Sequence, residues 1–249
     1  MKILSLVYPG FTFLDLAPMQ AFMTLPEAKS QIVWQKKGIV ASDAGVDVQA
    51  TEDFHSSWKG PDILFVPGNT LGLFKQLQDD RTLDFLADVG SRAAWVTSVC
   101  NGSLLLGAAG LLKGYRAASH WYTREQLSLF GAIPTDARYV IDRNRATGGG
   151  MTAGLDFGIT MIGSILGEPA ARILELLFEY APQPPFGTGR PELADPNTLA
   201  AATKTLKELM PIHELEGIRD HRLAKENSLK NRVEHSGVPA ASVRNFTVS

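Results

Sequence analysis

The stretch AAWVTSVCNGSLLLGAAGLL, residues 93–112, decides how the rest of the chain is read. Its first half, residues 93–99, is apolar and rich in residues that favour strands, as in a strand buried on both faces. Its second half, residues 101–112, is rich in leucine and small residues and predicts a helix. Cys100 stands at the joint. A side chain at a sharp strand-to-helix turn projects from the carboxyl edge of a sheet, where open α/β folds bind ligands. Gly102, two residues on, lets helix and strand approach closely.

The same alternation continues on both sides. Residues 3–7, 31–36 and 62–66 read as strands, the last (DILFVPG) running apolar into a Pro-Gly break. Helical patterns cover 13–25 and 79–91, the latter with Leu83, Leu86, Ala87 and Gly90 at helical spacing. Residues 120–130 predict an amphipathic helix. Residues 138–141 and 144–147 predict a hairpin around Asp142-Arg143, and 151–166 and 170–180 two further helices. Strands alternating with helices predict a flavodoxin-like, doubly wound α/β fold, a mostly parallel sheet sandwiched by helices. The Pro/Gly-rich stretch 182–196 is a connector. Beyond it, residues 197–208 predict one helix with Leu199, Thr203, Leu206 and Leu209 on a face, and the polar, aperiodic last 25 residues read as a loose tail.

Composition narrows the function. Of 249 residues 45% are hydrophobic and 20% charged, which argues for a folded chain. A net charge of −2 supplies no basic field for a nucleic-acid backbone. The single cysteine excludes internal disulfides and cysteine-rich metal sites. His55, His213, His221 and His235 have no ligand-like spacing, so no metal is inferred, and no cofactor. The N-terminus reads as a first strand rather than a signal peptide, and no run reaches the ~18 apolar residues of a membrane helix. A cytoplasmic protein without membrane contact is expected.

Cys100 has two readings: a small core residue, or a reactive thiol. The elbow favours the second, since a helix N-terminus favours thiolate over thiol. Asp15 follows the first strand and so lies at the same sheet edge, either as a helix-start residue or as an acid–base group. Gly148, Gly150 and Ala153 match G-x-G-x-x-A, but no ribose-binding acid follows. A backbone loop beside the site, including Gly149 and Gly150, is the better reading.

The segments LVYPGFTFLDLAP, DILFVPG, VTSVCNGSLLLGAAGLLKGYRAASHW, TGGGMTAGLDFGITMIGSILG and LLFEYAPQPPFGTGRP resemble, in this order, the ThiJ/PfpI superfamily of class I glutamine amidotransferase-like domains. The likeness is strongest to its isonitrile hydratases and to the amidotransferase-like domains of AraC-type regulators. It runs from residue 1 to 191, leaving 192–249 as a helix and polar tail without a domain of its own. It implies a hydro-lyase with Cys100 as nucleophile and Asp15 as acid–base residue. Backbone N–H groups of Gly68 and Asn101 would face the substrate, and His120 would line the pocket or serve as a base. It also implies a homodimer. A glyoxalase-like or stress-related thiol enzyme is a second reading, and a ligand-sensing module a third. The 58 residues after Pro191 are too few and too polar for the DNA-binding region of the regulators. Two positions depart from the hydratase pattern: Asn101 replaces a threonine after the nucleophile, and Gln20 replaces a carboxylate of the first helix.

Overall fold

The computed structural model describes residues 1–70 and 72–235. Seven strands form the main sheet: β1 (Lys2–Leu6), β2 (Lys29–Trp34), β3 (Glu52–Asp53), β4 (Ile63–Val66), β5 (Trp95–Ser98), β6 (Tyr139–Asp142) and β7 (Arg145–Gly148). Their spatial order is β6-β7-β5-β4-β1-β2-β3. All neighbours are parallel except the β6–β7 hairpin, which turns at Arg143 and Asn144 and pairs Asp142 with Arg145. This is the doubly wound arrangement that the alternating pattern predicts.

Alternating residues of the central strands enter two cores. Leu4, Leu6, Leu64, Val66 and Val96 face one cluster, while Ile3, Ile63 and Phe65 face the other. The continuous apolar runs thus follow from burial on both faces. Helices α1 (Pro18–Phe22), α5 (Ala153–Leu166) and α6 (Glu168–Leu177) cover the second cluster. There Phe22 meets Phe65 and Phe157 edge-on, each at 5.9 Å between ring centroids. Helices α2 (Leu73–Leu77), α3 (Asp80–Gly90) and α4 (Gly102–Ala108) cover the first.

Four segments differ from the sequence expectation. The helical pattern at 13–25 divides into a 3-10 turn, Phe13–Leu16, and the short α1, whose first residue is Pro18. The helix expected at 120–130 is only a 3-10 turn at Glu125–Phe130. The Thr123 hydroxyl bonds the His120 carbonyl and the Ser128 hydroxyl that of Glu125, local bonds that compete with a helix ladder, and Gly131 ends the segment at φ 74°. A hairpin, Gly38–Ala41 with Asp47–Ala50, sits outside the main sheet and was not predicted.

The fourth difference lies at the C-terminus. Helix α7 (Pro196–Leu209) follows the connector as expected, capped by the Asp195 carboxylate on the Asn197 and Thr198 amides. The segment expected to be a loose tail instead begins within a helix, α8 (Leu215–His235). Leu215 and Ile218 enter the first core, and Arg222 and Lys225 pair with Asp80 and Asp84 of α3. Tertiary contacts hold a helix whose own polarity pattern is weak. The rest of the expected tail, 236–249, lies outside the described residues. Among the described residues no helix is long and apolar enough to cross a membrane.

Candidate active site

Strands β1, β4 and β5 lie side by side, and their carboxyl ends share one edge. The chain leaves β1 toward the β2 side and β4 toward the β5 side, so the crevice between β1 and β4 is the topological switch point. Asp15 follows β1, Gly68 follows β4 and Cys100 follows β5. The topology brings together three residues that are far apart in sequence.

Cys100 adopts φ 57°, a left-handed conformation that L-residues rarely occupy and that costs about 1–2 kcal/mol. Surrounding bonds hold it there. Its N–H donates to the Gly149 carbonyl at 2.6 Å, and its carbonyl accepts from the Ser103 and Ser119 hydroxyls at 3.3 and 3.2 Å. The G-x-G-x-x-A loop is therefore a backbone support for the elbow. Gly102 is required sterically, because a Cβ there would lie 2.5 Å from the Val66 carbonyl oxygen.

Gly68 marks the centre of the site. A Cβ on it would lie 2.5 Å from Asn101 Oδ1, 2.8 Å from Cys100 Cβ and 2.9 Å from Asp15 Oδ2. Only a glycine lets these three groups converge. The Gly68 N–H donates to Asp15 Oδ2 at 2.8 Å, so this amide fixes the carboxyl group rather than facing open space. The Asn101 side chain is likewise engaged: Oδ1 accepts from the Asn69 N–H at 2.8 Å, and Nδ2 donates to the Asn69 carbonyl at 2.7 Å. Asn101 thus clamps the loop after β4 to the elbow, and its backbone N–H bonds the thiol.

Asp15 is fully buried, and its Oδ1 has no hydrogen-bond partner. Burial raises its pKa from 3.8 to about 7, against the Gly68 bond, and the negative charge of Asp43 adds to the rise. Burial also pushes the Cys100 thiol well above its ordinary value, helped by the neighbouring charge of Asp15. Burial thus acts against the thiolate that the N-terminus of α4, a helix of seven residues, was expected to favour. Tyr8, also buried, donates its hydroxyl to the Pro67 carbonyl at 2.9 Å and so braces the loop that carries Gly68.

Sequence reasoning missed Tyr8, Asn69 and Asp43. Asp43 arrives on the unpredicted hairpin and accepts from the Phe13 N–H at 3.0 Å, next to the Asp15 turn. The Ser42-Asp43-Ala44-Gly45 run carried a turn signal for it. Gln20, which stands where the resemblance expected a carboxylate, is exposed on α1.

Beside the elbow lies a cavity of about 520 Å³, bounded by Ser119, His120, Trp121, Gly149, Gly150 and Met151 among others. It adjoins Cys100 through Ser119 and Gly149, two of the residues that bond the Cys100 backbone. His120 lines this cavity; burial lowers its pKa to about 4, so the ring is neutral, with Nδ1 accepting from the Tyr122 N–H at 3.3 Å. Among the described residues no cluster of His, Cys, Asp and Glu could hold a metal ion.

A doubly wound sheet with a strained cysteine elbow and a buried aspartate defines a class, and comparison with known proteins identifies it. Residues 1–163 match the DJ-1/PfpI family, and the chain belongs to it. Among characterised relatives, it is 40% identical over 200 residues to the isonitrile hydratase of Pseudomonas putida, covering 80% of this chain and 87% of that protein. It is also similar to a ThiJ/PfpI family protein from Pseudomonas syringae, with TM-score 0.83 and 44% identity over 88% of this chain and 90% of that one. A third relative, the HTH-type transcriptional regulator GbdR of Pseudomonas aeruginosa, is 28% identical over 151 residues, 59% of this chain but only 38% of the regulator.

Proposed function

We propose that the protein is an isonitrile hydratase, adding water to R–N≡C to give an N-substituted formamide. The observation that carries this reading is the buried Asp15, with a free Oδ1 and a pKa raised to about 7, converging with Cys100 on Gly68. The 40% identity to the Pseudomonas putida hydratase supports it.

The chemistry uses one proton shared between the two groups. Asp15 as carboxylate takes the Cys100 thiol proton as sulfur bonds to the terminal isonitrile carbon. The lone pair left on that carbon takes the proton back from Asp15, giving the thioimidate Cys–S–CH=N–R. Asp15 then removes a proton from water as the water oxygen adds to the same carbon, and passes that proton to the nitrogen. Collapse of the tetrahedral adduct breaks the C–S bond, releases R–NH–CHO and returns the proton to sulfur. Gly68 serves by aiming Asp15, and the Asn101 N–H by holding sulfur. The neutral ring of His120 and the indole of Trp121 on the cavity wall suit a neutral substrate.

Incubation with cyclohexyl isonitrile and detection of N-cyclohexylformamide tests the reading. The native chain should form it, and Cys100→Ala and Asp15→Ala should each lower turnover by at least a hundredfold. Turnover retained in either variant overturns the mechanism. Methylglyoxal consumption without formamide formation would favour the glyoxalase-like reading.

The proposal includes pairing of two copies through α6. Its Leu176 and Leu177 are 82% and 75% exposed, beside exposed Ile173. An uncharged apolar face is complementary to itself, as a two-fold contact requires. Light scattering should give twice the chain mass for the native protein and the single mass for Leu176→Glu; a native monomer would overturn it.

A further inference from the structure

The cavity beside the elbow is roofed by the connector. Residues 181–190 are exposed throughout, and Gly187 turns at φ 67°. The chain then folds back so that Gly189, Arg190, Pro191 and Glu192 form one side of the cavity. A Cβ on Gly189 would meet nothing within 4 Å. A second cleft of about 70 Å³ separates these residues from Trp121 and α7. The roof is thus loosely packed and not held by apolar burial.

Charge holds it. Asp136, just ahead of β6, accepts from the Arg124 guanidinium on the body and from Arg190 Nη2 on the roof at 3.2 Å. Arg190 also pairs with Glu192. Arg138, the third guanidinium at the mouth, is held by Asp156 at 2.5 Å. Each guanidinium therefore has a carboxylate partner, and the mouth presents no unpaired cation to an anionic substrate.

We propose that residues 189–192 are the lid of the cavity that receives the substrate's substituent, and that Asp136, bridging Arg124 and Arg190, is the positioning residue that seats this lid. This rests on the isonitrile reading, but the binding arm of the test does not. A seated lid shelters a bulky apolar substituent and contributes little to a methyl group. The latch is an exposed ion-pair bridge, so its effect is modest, a few-fold and not orders of magnitude.

Asp136→Asn and Arg190→Ala should raise KM for cyclohexyl isonitrile threefold to fivefold, with kcat changed less. The ratio of kcat/KM for cyclohexyl over methyl isonitrile should fall by a similar factor. Arg190→Lys should recover part of the loss, and Arg172→Ala on α6 should change nothing. Calorimetric titration with N-cyclohexylformamide should show the same threefold to fivefold weakening in Asp136→Asn. Unchanged KM, ratio and formamide affinity in both variants overturns the lid. A native chain that binds the formamide with the expected variant pattern, yet hydrates no isonitrile, leaves the lid standing and removes the hydratase reading. Preference for isocyanoacetate over cyclohexyl isonitrile would overturn the charge-balanced mouth.

Discussion

Asp15 and Cys100 are both buried, and their protonation follows from that. The productive state carries one proton between them, and below about pH 7 Asp15 takes up a second. Alkylation of Cys100 by iodoacetamide, specific because the chain has one cysteine, should therefore rise with pH through about 7; a profile governed only by a thiol near its ordinary value would contradict this. Asp15→Asn should remove the step. Stability moves the other way. Asp15 titrates near 3.8 when unfolded and near 7 when folded, so its contribution is full below about 4 and is lost as pH rises through about 7. At roughly 1.4 kcal/mol per pH unit, the loss amounts to a few kcal/mol. Asp15→Asn should accordingly gain in Tm relative to the native chain at pH 8 and lose most of that advantage at pH 5, as scanning calorimetry would show. Cys100 and Asp15 were legible because each follows an apolar run at a strand end. Their protonation was not, because it depends on burial in the folded chain and on the charge of Asp43, which arrives on a hairpin 28 residues after Asp15.

Among the elements, the elbow is the part most fully written in the sequence. A strand, a lone cysteine and a small residue two positions later sufficed to place it, and Gly102 accounts for the tightness of the turn. Gly102→Ala should cost about 1–3 kcal/mol in urea unfolding, since the added methyl meets backbone carbonyls that cannot yield as a side-chain tip can. The turn between α7 and α8 was not legible as part of the site. It places Met210, 3% exposed, with its sulfur 3.7 Å from Asn101 Nδ2. Met210→Ala should lose about 2–4 kcal/mol and leave the Asn101 clamp less well seated, whereas Met210→Leu keeps the volume and should lose under about 1.5. Turnover assayed well below either Tm should fall in the alanine variant and persist in the leucine one. The failed helix at 120–130 has the opposite lesson: apolar spacing was present, but hydroxyl groups and Gly131 captured the backbone locally.

At the scale of the molecule, the question is whether residues 192–235 fold with the sheet. We propose that they do. Leu215 is fully buried in the core beneath α4, and Arg222, 9% exposed, reaches Asp80 and Asp84 at 3.0 and 3.1 Å. Replacing both carboxylates by amides leaves a nearly buried guanidinium without its charge partners. The expected cost is about 1–2 kcal/mol, because the two carboxylates are themselves partly solvated and screened. All four tryptophans, Trp34, Trp58, Trp95 and Trp121, precede residue 192, so their fluorescence reports chiefly the sheet domain, with Trp121 also facing α7 across a cleft, whereas far-UV circular dichroism reports α7 and α8 directly. In urea the two signals of the native chain should share one midpoint, and the Asp80→Asn/Asp84→Asn variant should shift both together to lower urea. Helix signal lost ahead of the fluorescence would make 192–235 a separate unit. It would also detach Met210 from Asn101 before the sheet unfolds, so a coincident transition is what the contact between the C-terminal helices and the site requires.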